Sequence, residues 1–425
     1  MDLMAEKIRK LLHSDVQLAV GCTEPVAIGY LAKEVRKQMD FAPQSILLRV
    51  SKNIYKNGKS VTIPGTRETG LDLAAAIGLV RVHPGEGLMI FNDLSEDELC
   101  EARKMLQSGR ISMEIAPDGP DIFAEMTVLG EQRRLQGRLA FGHDNLVFLE
   151  KDGRVLYRQE ETTSEDGMQW DELNVSHLMH FVEAFPSEEL SFIEEGIRYN
   201  FAAASEGLDN PYGLSVGATL KKLMDRKGIH QDVSMKARIL TAAAADMRMG
   251  GGLCPIMTSG GSGNQGIGVV IPITVVAEQE GIPDEQRNRG ILFGHLMNEL
   301  VKLHSGKLSG MCGCAIGSGV GAAAGITWML GGSEEEISAA CNYMFADAAG
   351  MLCDGAKDTC ALKLSTCAQE AILAAYLSIE GLSLRPSVGV VGENLDATIR
   401  NIGYLSKEGF RIVDQKMLEV IQARK

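Results

Sequence analysis

RLAFGHDNLVFLEKDGRVLYRQ, residues 138–159, is the stretch that decides the fold class. Two runs rich in Leu, Val, Phe and Tyr flank Asp152-Gly153, a pair that tolerates the left-handed backbone of a tight β-hairpin. Further β-rich runs lie upstream: SILLRVS (45–51), GLMIFND (87–93), ISMEIAP (111–117) and FAEMTVLG (123–130). Helical spacing interrupts them near 70–81 and 95–107. Residues 43–168 therefore read as a small α+β lobe.

Outside that lobe the pattern is helical. Residues 2–12 read as an amphipathic helix, and a second is expected over 23–39 with Thr23 as N-cap and Pro25 in its first turn. These N-terminal helices, residues 1–42, are expected to pack on a C-terminal lobe spanning 169–425. There HLMHFVEAF (177–185), ELSFIEEGIRYNFAAASEG (189–207), SMKARILTAAAADMRM (234–249) and SAACNYMFADAAG (338–350) carry helical periodicity. The expected class is α+β, a large mostly helical lobe with a smaller α+β lobe inserted.

The balance of 42 basic against 56 acidic side chains, net −14, repels phosphate backbones and anionic lipid, and no basic stripe offsets it. Neither nucleic acid nor membrane is an expected partner. Gly313–Gly332 lacks charge over about the length of a membrane span, but its Gly and Ala content suits a tightly packed buried helix. The opening MDLMAEKIRKLL carries acids and lacks a signal-peptide pattern, so a cytoplasmic setting is expected. Nine cysteines, an odd number in a long chain, argue for free thiols or ligands instead of a disulfide framework.

Those cysteines gather around glycine. Ser333 and Glu336 form a capping box, which predicts a helix over 334–348 stopping near Gly350. Cys353 then falls in the following loop. Asp358 or Thr359 caps the next helix, leaving Cys360 in its first turn, where the helix dipole favours a thiolate. Gly355 lets the backbone fold tightly between the two, and Cys312 or Cys314 in SGMCGCAIGSGVGAAAG (309–325) is placed to join them. CxC followed by Cx6C does not suit the paired spacing of structural zinc, whereas three thiolates with an open position suit a [4Fe–4S] cluster. The alternative is small buried core residues, which is the reading for Cys100, Cys254, Cys341 and Cys367.

Two other features bear on chemistry. Cys22 in GCTEP sits before a helix N-terminus, where a thiol has reason to ionise and serve as base or nucleophile. TSGGSGNQG (258–266) offers backbone N–H groups with Ser259, Ser262, Asn264 and Gln265, either a nest for a carboxylate or a flexible turn. Its formal GxGxxG lacks a βαβ setting, and the chain contains no GxxxxGK[ST]. His304 reads as a helix-end polar residue.

GCTEP, MGG followed by SGGSGNQG, CGC before a Gly/Ala run, LGGS and LCDGAKDTCALK, occurring in that order between residue 21 and about 370, together resemble the L-cysteine desulfidase family, related to the α-chain of iron–sulfur L-serine dehydratases. The resemblance implies a [4Fe–4S] cluster held by Cys353, Cys360 and Cys314, with Cys312 as the alternative to Cys314, and Cys22 as proton acceptor. It implies pyridoxal-independent α,β-elimination on a small amino acid, L-cysteine first, giving pyruvate, ammonia and sulfide. L-serine dehydration and a non-catalytic iron–sulfur sensor are the alternatives, and a homodimer is the expected assembly.

Overall fold

Asp152 and Gly153 both take left-handed backbone, with φ of 53° and 80°, so the Asp-Gly pair makes the two-residue turn its chemistry predicts. The computed structural model describes residues 3–81, 89–116, 119–159, 173–226, 230–306 and 308–423. The turn joins the last two strands of a six-stranded sheet. With β1 as Leu18–Ala19, the sheet comprises β2 (Ser45–Ser51), β3 (Ile111–Ala116), β4 (Phe123–Leu129), β5 (Arg134–Ala140), β6 (Leu146–Lys151) and β7 (Arg154–Arg158), in the order β3-β2-β4-β5-β6-β7. All pairings are antiparallel except β2 with β3, which run parallel with Ile46 opposite Ile111. Helices Lys52–Gly58, Leu71–Val80 and Glu96–Gln107 fill the crossover that a parallel pair requires.

Helix Thr23–Gln38 lies across this sheet. Val26, Ile28, Leu31 and Val35 share one buried core with Ile46, Leu48, Met126, Val128 and Leu135. Gly137 on β5 makes the close approach possible, because a Cβ there would fall 2.7 Å from Val35 Cγ2. Each fully buried aliphatic side chain contributes roughly 1.5–3 kcal/mol by leaving water. The segment 1–42 thus divides between two cores: Ile8 and Leu12 of helix Leu3–Asp15 join the helical lobe, whereas helix Thr23–Gln38 belongs with the sheet. Its apolar stripe is matched by the apolar face of the sheet.

Two local expectations are corrected. Cys22, in extended backbone (φ −83°, ψ 135°), is the N-cap, so Thr23 is already helical. Of GLMIFND, residues 87–88 lie outside the described residues, and 89–93 form a turn instead of a strand. Ile90 and Phe91 are buried there, Phe91 against Gly29, and the Arg81 guanidinium holds the turn by donating to the carbonyls of Ile90 and Asp93. Apolar content reported burial correctly but not conformation.

In the helical lobe, Gly263–Glu280 runs through the middle of a core built by Val233–Met249, Asp284–Ser305, Val320–Met329, Glu334–Ala348 and Cys360–Ile379. Small residues set its spacing. A Cβ on Gly321 would lie 2.4 Å from the Gly294 carbonyl oxygen and one on Gly325 2.5 Å from that of Gly290, so helices Asp284–Ser305 and Val320–Met329 meet backbone to backbone. The uncharged Gly313–Gly332 run is accordingly interior. Among the described residues no helix is long and apolar enough to cross a membrane. Between the two cores, Cys22, Val61, Met249 and Cys360 form a third, small apolar cluster.

Candidate active site

Gly21 begins the site. Its φ of +68° turns the chain beneath Pro64, whose Cγ would stand 2.0 Å from any Cβ, and delivers Cys22 to the helix N-terminus. The Cys22 thiol is buried and donates to Glu24 Oε2 at 2.9 Å. Glu24 Oε1 accepts from Asn57 Nδ2 at 2.9 Å, and Thr23 Oγ1 lies 3.3 Å from Oε2. Burial raises the Cys22 pKa well above an ordinary thiol and the Glu24 charge adds to that, against a lowering influence from Arg248. The pull of the helix N-terminus on the thiol, expected from the sequence, is thus opposed by burial and by the Glu24 charge. For Glu24, burial opposes ionisation, but His143 and the bonds from Cys22 and Asn57 outweigh it and lower the pKa. Glu24 was missed in the sequence; its only signal was an acid in the first helical turn, two residues after the cysteine.

Four more cysteines occupy the facing wall. An isolated antiparallel bridge pairs Met311 with Leu352, with Cys312 N–H donating to the Met351 carbonyl and Cys353 N–H to the Gly310 carbonyl, each at 2.8 Å. Cys314 opens a π-helical turn, Cys314–Gly319, a rare geometry that recurs at functional sites. Cys360 is the first residue of its helix, after Thr359, which caps without a side-chain hydrogen bond. Gly355, φ +98°, brings the intervening loop onto the Lys56 carbonyl, 2.2 Å from where a Cβ would stand. Cys312, Cys314, Cys353 and Cys360 line one cavity of about 240 Å³ together with Cys22 and Glu24. Cys367 lies within its helix, buried in the core.

Charge is unevenly spread over these thiols. The Cys314 thiol holds Cys312 below the ordinary thiol value, against burial and with help from Lys363. Cys314 is raised well above that value by the same bond and by burial. Burial raises Cys353, and lifts Cys360 to about 11. Lys357 and Lys363 both pair with Asp354, at 2.6 and 2.8 Å, beside the same loop. Among the described residues, no three Cys, His, Asp or Glu side chains are disposed around a single metal ion. A [4Fe–4S] cluster makes a different demand, since it presents separate irons to separate thiolates. Four free, largely buried thiols lining one cavity together with Lys363 fit that group.

The glycine-rich segment forms the floor. Gly260 and Gly261 (φ 54° and 68°) make a tight turn between Ser259 and Ser262, and Ser262 is the N-cap of helix Gly263–Glu280 with no side-chain hydrogen bond. The segment is a tight turn that feeds a helix N-terminus, a geometry compatible with the expected carboxylate contact. Ser262, Asn264 and Gln265 line the cavity; Ser259 does not. Ser259 is fully buried, with Asn298 Nδ2 donating to its Oγ and His295 Nδ1 at the same 2.9 Å, so its expected substrate contact is corrected to a supporting one. Gln265 lies across Gly313, where a Cβ would come within 2.3 Å of its Nε2. Arg248 and Lys302, both buried, also reach the cavity, and neither was singled out in the sequence. From the α+β lobe, Phe141, Gly142, His143 and Asp144 complete its lining.

Comparison with known proteins places the chain among relatives. Residues 86–419 match the model of the serine dehydratase alpha chain family. The chain is 42% identical over 420 residues to a UPF0597 protein of Clostridium botulinum (strain Langeland), covering 98% of this chain and 97% of that one. It is 35% identical to a UPF0597 protein of Clostridioides difficile, covering 97% and 98%. A third UPF0597 protein, from Caldanaerobacter subterraneus, is 34% identical, with 97% of each chain covered.

Proposed function

The chain belongs to the serine dehydratase alpha chain family, and from that premise we propose that it catalyses pyridoxal-independent α,β-elimination on a small β-substituted amino acid. L-cysteine is the favoured substrate, giving pyruvate, ammonia and sulfide; L-serine is the alternative. The observation that carries this reading is the junction of Cys22 and Cys360 in one small apolar cluster. It supports a proton-transfer role for Cys22 and Glu24 beside the cysteines.

An iron–sulfur cluster is the usual cofactor of this family, and Cys353 and Cys360 would hold it with one member of the Cys312–Cys314 pair. Cys314 is the expected member and Cys312 its alternative, and both line the cavity. When bound, the cluster supplies Lewis acidity at an iron without a protein ligand. The chain's own groups do the rest. Glu24 takes the Cys22 proton across their hydrogen bond, and the thiolate so formed removes the Cα proton of the substrate. The transfer moves one buried negative charge from the carboxylate to the thiolate without creating a second. The N-terminus of Gly263–Glu280, with Ser262, Asn264 and Gln265, orients the substrate. Sulfide departs from Cβ, and the resulting aminoacrylate tautomerises to an imine that water hydrolyses to pyruvate and ammonia.

Anaerobic reconstitution followed by iron and sulfide analysis, with pyruvate release measured on L-cysteine and L-serine, tests the proposal. A protein that binds iron and releases pyruvate and sulfide from L-cysteine supports it. A colourless, iron-free and inactive protein overturns it.

A further inference from the structure

Arg248 is a buried guanidinium held where its positive charge is least favoured. It lies on helix Val233–Met249, 3% exposed, and its Nε and Cζ press so closely on Gly263 that a Cβ there would stand 2.3 and 2.7 Å away. Gly263 is the first residue of helix Gly263–Glu280, whose N-terminus carries the positive end of the helix dipole. Nη1 donates to Asn264 Oδ1 at 2.9 Å, yet the buried Nε has no acceptor. A cation beside a helix N-terminus, with a donor unused inside a cavity, is an arrangement that an anion completes.

Resting on the amino-acid elimination reading above, we propose that Arg248 and the N-terminus of helix Gly263–Glu280 bind the substrate α-carboxylate, so that the enzyme accepts only amino acids with a free carboxyl group. The neighbouring acceptors suit the rest of such a molecule. Asn57 Oδ1 and Gln265 Oε1 are both buried without a partner, and both residues line the cavity. They supply the polar surface that an α-ammonium group needs. A carboxylate seated on Arg248 shares the cavity with Cys22, which brings Cα towards the base. Gly263 is required because any side chain there would displace the guanidinium.

The test uses the cluster-loaded enzyme and ligands that lack a β-leaving group, with binding read from thermal shift. L-alanine is expected to bind. L-alaninamide, lacking the carboxylate, is expected to bind about 10- to 100-fold more weakly, as for loss of a hydrogen-bonded charge. Arg248→Lys, which retains charge but not the planar fork, and Arg248→Gln are expected to weaken L-alanine by a similar factor while keeping the visible absorbance of the cluster. Equal binding of L-alanine and L-alaninamide to the unmodified enzyme overturns the proposal without any variant having to fold. Unchanged L-alanine affinity in both variants, or binding of neither L-alanine nor propionate to the unmodified enzyme, overturns it as well. If propionate binds through Arg248 and L-alanine does not, the carboxylate site stands and the amino-acid reading fails.

Discussion

The Cys22 thiol lies 2.9 Å from Glu24 Oε2 and donates to it, both side chains being buried, one at the N-cap and the other in the first turn of one helix. That direction of donation changes the chemistry read from GCTEP. A thiol that is already ionised needs no partner, whereas a protonated one needs a group to take its proton. Glu24, whose pKa His143, Cys22 and Asn57 lower against the effect of burial, is the group proposed for that role.

Replacing Glu24 with Gln preserves an acceptor for the thiol but not a proton acceptor. We expect kcat to fall by roughly 10²- to 10⁴-fold, the range for general-base loss, with iron content unchanged. Cys22→Ala should do the same, which a non-catalytic sensor would not show. Pyruvate assays and iron analysis decide the matter, and full activity in either variant would remove the pair from the mechanism.

Cys353→Ser and Cys360→Ser are each expected to abolish the visible absorbance after anaerobic reconstitution. Cys367→Ser should keep it, because that thiol sits in the helical core away from the cavity. Its cost is one of stability, about 1–3 kcal/mol for a buried hydroxyl lacking a full set of partners, measurable by denaturant titration. A colourless Cys367 variant would contradict this division.

Gly317→Ala tests the packing beneath the cysteine wall. The new Cβ would fall 2.3 Å from Asn298 Oδ1 and 3.1 Å from Gln265 Oε1, so those amides must move. We expect a loss of about 1–3 kcal/mol, typical of overpacking, together with a raised KM because Gln265 faces the cavity. A variant with wild-type KM and unfolding midpoint would show that the amides have room to shift.

Asp246 predicts a pH dependence. Burial, despite a hydrogen bond from Gly217 N–H, raises its pKa to about 7, above the ordinary carboxyl value of roughly 4. Over that interval the folded protein holds a proton that the unfolded chain has released, so this group's contribution to stability declines as pH rises from about 4 to about 7. Asp246→Asn removes that decline. Unfolding midpoints at pH 5 and pH 8 should therefore differ less in the variant than in the wild type, and an equal or larger difference would refute the assignment.

Much of the architecture was legible because its causes are local. The Asp152-Gly153 turn, the Ser333–Glu336 capping box and the start of helix Cys360–Ile379 each depend on neighbours within a few residues, and each formed as its sequence predicted. GLMIFND failed for the complementary reason. Its apolar residues needed burial, which a turn held by Arg81 satisfied without a strand.

By itself, the sequence determined the α+β class and the placing of Cys353 and Cys360 on a loop and a helix entrance, since backbone preference, periodicity and capping act over short separations. Tertiary structure alone decided that burial raises the Cys22 pKa, that Glu24 faces it, that Ser259 is withdrawn beneath the floor and that Arg248 points into the cavity. Burial and charge at those atoms come from segments remote in the chain, and desolvation at a site where two cores meet outweighed the helix-dipole influence on Cys22 that its local sequence suggested.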